Sequence, residues 1–123
     1  MKTDSLRNEK VYEMRQPMKK SWYEPLYISD SMKKRENEIR SQIRKDRVES
    51  GWYAITLASN GCDYLDLIAS AYLKQRVLLR SLPMIVGIAE TREEAYSLIE
   101  TIAGDCFRKT GNADIRAFLE AVQ

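Results

Sequence analysis

Cys62-Asp63, with Asp66 three residues on, brings a thiol and two carboxylates into one short stretch. Such a set can in principle hold a metal ion. One thiolate with two aspartates is a poor zinc site, and sulfur is a poor ligand for a hard cation. The plainer reading is a turn or helix start capped by Asp63, with Asp66 exposed. Cys106 falls at helical spacing with Ile99, Ile102 and Phe107. A thiol on an apolar face acts as a small hydrophobe, and burial blunts its reactivity. The chain has no histidine. It therefore lacks the commonest general base and zinc ligand, and every Ser-His or Cys-His dyad.

Other candidates for chemistry have structural explanations. Asn60-Gly61 is a turn signal, and no glycine-rich run or G-K-[ST] follows to cradle a phosphate. Glu93-Glu94 suits the helix N-terminus that it occupies. Tyr53, Tyr64, Tyr72 and Tyr96 are of a type common on half-buried sheets. The expectation is a non-enzymatic protein with no catalytic residues, cofactor or metal. No motif points to a small-molecule substrate.

Charge offers more. Residues 1–50 carry thirteen Lys/Arg against nine Asp/Glu, and residues 51–123 carry seven against nine. A basic first part thus precedes a slightly acidic second part. Met32 to Arg47, MKKRENEIRSQIRKDR, holds seven basic and three acidic residues. Wound at about 100° per residue, Lys33, Arg40, Arg44 and Arg47 share one edge. Such an edge can track phosphates, with Lys19, Lys20 and Trp22 just upstream. Glu36, Glu38 and Asp46 dilute it, and the pI of about 8.5 is low for a nucleic-acid binder.

The elements that must position these groups can be read in turn. Residues 1–28 look irregular, punctuated by Pro17 and Pro25. Within them SWYEPLYI gathers Trp22, Tyr23, Leu26 and Tyr27, too much apolar surface to leave in water. It docks on its own domain or on a partner. A helix is expected from Met32 to Glu49, capped by Asp30 or Ser31 and stopped by Gly51. Met32, Ile39 and Ile43 form a stripe that looks too thin for a central core helix. Trp52–Ser59 alternates as a strand, and Tyr64–Ala69 can pair back as a hairpin. SAYLKQRVLLRSL is ambiguous between a short helix and a continuation. Pro83–Glu90 reads as a buried strand, with Gly87 marking a bulge or a close backbone contact.

Thr91-Arg92-Glu93-Glu94 matches a capping box. Ala95, Leu98, Ile99, Ile102, Ala103, Cys106 and Phe107 follow at helical spacing, up to Gly111. A last helix, Asp114–Val122, presents Ile115, Phe118 and Leu119, with Asn112 as its cap. PMIVGIAETREEAYSLIETIAGDCFRKTGNADIRAFL resembles the C-terminal part of short uncharacterised proteins from Firmicutes bacteria. The shared pattern is V-G-[IL]-A, then E-E-A, then T-G-x-x-D-[IV]-R. The resemblance covers the last half of the chain. It implies a β-α-α arrangement in a bacterial protein, and no chemistry.

The expected fold is α+β. A two- or three-stranded sheet is covered by a long C-terminal helix and a short final one, and preceded by a basic helix. Residues 1–50 form the first part, and 51–123 form a compact domain. The polar start and the absence of a long apolar run argue against a signal peptide or membrane span. Two lone cysteines suit a reducing cytoplasm. The favoured function is a protein-interaction module, adaptor or regulatory, that binds a protein partner or a second copy. Trp22, Tyr23, Tyr27, Ile39 and Ile43 are the expected contacts. The alternative is nucleic-acid binding through Lys33, Arg40, Arg44 and Arg47.

Overall fold

The β-branched and aromatic runs do become strands. The structure is a computed structural model and describes residues 22–58 and 64–121. The strands are β1 (Trp22–Ile28), β2 (Tyr53–Leu57), β3 (Leu65–Ala69) and β4 (Ile85–Ala89), in the order β1-β4-β2-β3. The expected hairpin is present, with Tyr53 opposite Ala69 and Leu57 opposite Leu65. Its Asn60-Gly61 turn, Cys62 and Asp63 lie outside the described residues, as do Pro17, Lys19 and Lys20. β2 is antiparallel to β3 and β4, whereas β1 runs parallel to β4.

β1 corrects the expectation of an irregular N-terminal part. Trp22 lies opposite Ile85 and Tyr27 opposite Gly87, so five steps on β1 match two on β4. Pro25 sits inside this bulge, where its missing N–H costs no ladder bond. The proline hides the strand from a reading of alternation. The sheet is therefore mixed, and it has four strands rather than two or three. β1 carries Tyr23 and Leu26 into core clusters that also hold residues from beyond position 50.

Gly87 makes the close contact that a lone strand glycine suggests. A Cβ there would stand 2.9 Å from the Tyr27 carbonyl oxygen. Every residue of β4 is buried, because both faces of the sheet are covered. On one face lie α3 (Arg92–Thr110) and α4 (Ile115–Ala121), packed on Ile55, Leu57 and Val86. On the other lie a 3-10 segment, Asp30–Arg35, and α1 (Glu36–Arg44). A second 3-10 segment, Ser70–Lys74, leads into α2 (Arg76–Arg80) on the same face.

The basic helix is shorter than expected and is held more firmly. Its first turns are 3-10, and no side chain caps them, so Asp30 and Ser31 do not play that part. It ends at Arg44, and Asp46 takes the left-handed conformation with φ 56°. Gly51 (φ 112°) belongs to the next turn instead. Between them Gln42, buried on the apolar side, holds the loop. Its Oε1 accepts from Glu49 N at 3.0 Å and from the Trp52 indole at 3.3 Å. Met32, Ile39, Ile43 and Trp52 are all at most 2% exposed. The thin stripe is thus a core face, narrow because each of its residues is fully used.

α3 starts as expected. Thr91 Oγ1 accepts from Glu94 N at 3.1 Å. The Glu94 carboxylate reaches back to Glu90 N at 3.1 Å, one residue before the cap. Gly111 (φ 77°) ends the helix in the left-handed conformation and donates to Phe107 O. Ala95, Ile102 and Cys106 are buried, but Phe107 is 63% exposed. It stands one residue, about 100°, beyond Cys106 and so leaves the stripe. Asp114, not Asn112, caps α4 by accepting from Ala117 N at 3.1 Å. Asn112 supports that cap by accepting from Asp114 N at 2.9 Å. Arg116 donates to the Ala58 carbonyl, so Asp114 and Arg116 of the T-G-x-x-D-[IV]-R pattern both serve the fold.

Cys106 is fully buried, and its Sγ lies 3.5 Å from the Asn112 carbonyl. Cys106→Ser should lower stability by about 1 kcal/mol, since the added polarity meets an apolar face with one acceptor nearby. Denaturant unfolding measures this. In a Cys62→Ser background, a thiol reagent should label Cys106 only as fast as the protein opens. Rapid labelling of the folded state would refute the burial.

Candidate functional site

The aromatic segment that the sequence offered to its own domain or to a partner packs on the domain itself. Tyr23 is 7% exposed and stacks on Tyr27, with ring centroids 5.7 Å apart. The Tyr27 hydroxyl donates to Asp105 at 2.5 Å, and Arg108 pairs with the same carboxylate. Burial, then the bond to Asp105, pushes the Tyr27 hydroxyl well above the usual tyrosine range. It stays a neutral donor there, a clasp between β1 and α3 rather than an acid or base. Trp22 is half-buried under the Arg40 guanidinium, 4.5 Å from the ring centroid. Ile39 and Ile43 are inside the core. Of these five residues, Tyr23, Ile39 and Ile43 are buried, and Trp22 and Tyr27 are half-buried. The sequence allowed for docking on the domain itself but not for a strand, because β1 pairs with a strand far along the chain.

The basic edge is also less free than its composition suggests. Arg40 makes two bonds to Glu24, at 2.8 and 3.1 Å, and a 2.8 Å ion pair with Glu36. Only 22% of its side chain is exposed. Lys33 pairs with Asp30 at 2.8 Å, and Arg35 with Glu38 at 3.1 Å. Arg44 and Arg47 are exposed. The Glu36–Arg40 pair is legible as i,i+4. Glu24 is not, because it arrives on β1.

A different surface comes into view at the opposite edge of the sheet. Ser70 turns the chain out of β3: its N–H donates to Trp52 O at 2.8 Å, and its hydroxyl accepts from Trp52 N at 3.2 Å. The next segment buries Leu73 and Leu79, each 1% exposed. α2 has only five residues, too few to turn all of Val77, Leu78 and Leu79 inward. Tyr72, Val77 and Leu78 remain 61%, 79% and 41% exposed. Beside them a cleft of about 590 Å³ runs along β3, reaching Asp66, Ile68, Leu78 and Leu82 and ending at Tyr53 and Arg92. Arg92 lies 5.5 Å from the Tyr53 ring centroid. Asp66, expected on the surface, is half-buried in this lining.

The cleft can bind, and its ionisable lining groups are Tyr53, Asp66, Tyr72 and Arg92. Its size suits an inserted side chain or a short segment. Lys74 and Arg76, in the segment between the lining residues Leu73 and Leu78, are exposed, and Arg80 pairs with Asp46 at 3.3 Å. The sequence held a signal for this surface. In SAYLKQRVLLR, three apolar residues in a row stand among three cations with no acid. Which of the three stays outside is not written there.

Comparison of the chain with protein-family models, with curated proteins and with solved structures gave no match. The functional reading therefore rests on the geometry of the site. Among the described residues, no helix is long and apolar enough to cross a membrane.

Proposed function

We propose that the chain is a non-enzymatic protein-interaction module, an adaptor or regulator of a bacterial cell, and that its partner seats on the β3 edge and the adjoining cleft. One observation carries this reading. A regular edge strand lies beside a cleft whose lining includes exposed Tyr72 and Leu78, and exposed Val77 adjoins Leu78 in the chain. Large apolar groups clustered at a concave surface are a common mark of a docking site. The bacterial setting rests on the resemblance in the C-terminal half. Nucleic-acid binding has less support. Arg40 and Lys33, two of its four residues, already have carboxylate partners, which phosphates would have to displace.

The test compares the wild-type chain with a Val77→Asp/Leu78→Asp variant as bait in a lysate of the source cell, followed by binding to the purified partner. Both positions are exposed, so the fold should lose no more than about 0.5 kcal/mol. Binding should fall at least about tenfold, as expected when apolar anchors are replaced by charges. Undiminished binding by the variant would place the partner elsewhere. A ligand lost on nuclease treatment, or on Arg44→Ala/Arg47→Ala, would make the basic helix the site.

A further inference from the structure

The two edges of the sheet differ. β1 carries Pro25 and a register shift, and Glu24 of the same strand is tied to Arg40. Bulges, prolines and charges of this kind blunt an edge against strand addition. β3 has neither proline nor register shift, and its one charge is the half-buried Asp66. Its five residues keep one register with β2 from end to end. Two bonds set the phase of that pairing, Ala58 N–H to Tyr64 O at 3.1 Å and Ser70 N–H to Trp52 O at 2.8 Å. Asp66 and Ile68 share that phase and turn their backbone groups toward β2. Those of Leu65, Leu67 and Ala69 therefore face outward. Among the described residues, no strand meets them.

The surroundings of this edge differ from face to face. Asp66 and Ile68 lie opposite Thr56 and Ala54, on the α1–α2 face, where the cleft offers Leu78 and Leu82. Tyr53 lies on the α3 face with Ala69, and there Arg92 stands over it. Successive side chains of an added strand would point alternately to these two faces. One set would meet the apolar cleft, and Asp66 would repel an acid there. The other set would meet the Arg92 cation.

We infer that the occupant of this site is an extended segment of another protein that adds as a strand to β3, with apolar residues alternating with at least one Asp or Glu. This inference rests on the docking site proposed above and names its ligand. Lys74 and Arg76, exposed in the segment between the lining residues Leu73 and Leu78, favour the same acidic partner at longer range. A second copy fits less well. Paired two-fold through β3, it would present Leu65, Leu67 and Ala69 on the Arg92 face and leave that cation without a carboxylate.

The probe is a phage-displayed library of random peptides, selected on the full chain. Enriched peptides should alternate apolar and acidic positions. N-methylation of alternate backbone amides in a selected peptide should abolish binding at one phase and spare it at the other, because only one set of N–H groups faces β3. Arg92→Glu should weaken acidic peptides at least about tenfold, and exchanging the peptide's acid for lysine should restore binding to that variant. Peptides lost with Val77→Asp/Leu78→Asp but indifferent to both N-methylation and Arg92→Glu would overturn the acidic strand while keeping the docking site. Peptides indifferent to all of these changes would overturn both. Failure to enrich any peptide, or a dimer in sedimentation held by β3, would overturn the inference.

Discussion

Ile39→Glu and Ile43→Glu should unfold the whole chain, in combination and largely alone. Ile39 is fully buried and Ile43 is 2% exposed. Both pack in one cluster with Met32, Trp52, Leu73, Leu79, Ile85 and Ile88, side chains drawn from both halves of the sequence. A carboxylate at either site would be desolvated with no cation supplied, at a cost of several kcal/mol. A domain of this size has only about 5–15 kcal/mol to lose. Circular dichroism and urea unfolding at neutral pH test this. A doubly substituted chain with a wild-type midpoint would detach α1 from the core. The thin apolar stripe alone predicts the opposite, an N-terminal helix that can be disabled while residues 51–123 stay folded. The burial of Ile39 beside Ile85 and Ile88 decides between them.

Ile102→Asp should be as severe, and Leu98→Asp should be milder. The sequence places both on one stripe of α3 and expects both to unfold the domain. The structure separates them. Ile102 is fully buried, whereas Leu98 is half-buried and packs at the margin of the same cluster. An aspartate at 102 would lie in the α3–sheet layer with Ile55 and Val86 and no route to water. At 98 it can turn outward, and the loss should stay near 1–3 kcal/mol. Urea midpoints measured on both variants rank the positions. Equal midpoints would mean that α3 sits on the sheet with a different rotation.

The start, period and end of α3 were legible because what defines them is local. Thr91 and Glu94 are three apart, the apolar period runs through one segment, and Gly111 lies at its end. The β2–β3 hairpin was legible for the same reason, and β4 announced itself by its run of Ile and Val. The candidate site was only half legible. Tyr64–Ala69 could be read as a strand, but its position at an edge could not, because strand order depends on β1 and β4.

Amino-acid sequence by itself determined α3 with its cap and period, the adjacent strand pair, and a chain without histidine chemistry. Tertiary structure alone decided where the aromatic segment goes, whether Arg40 is free, and which residues of Val77-Leu78-Leu79 meet water. The physical reason is the same in each case. Trp22 pairs with Ile85, and Arg40 with a glutamate sixteen residues away. α2, five residues long, lies in the crossover that takes the chain from β3 past β2 to β4. Local propensity acts over a few residues. Pairing across a sheet, ion partners and the choice of a buried face depend on contacts that exist only once distant segments have come together.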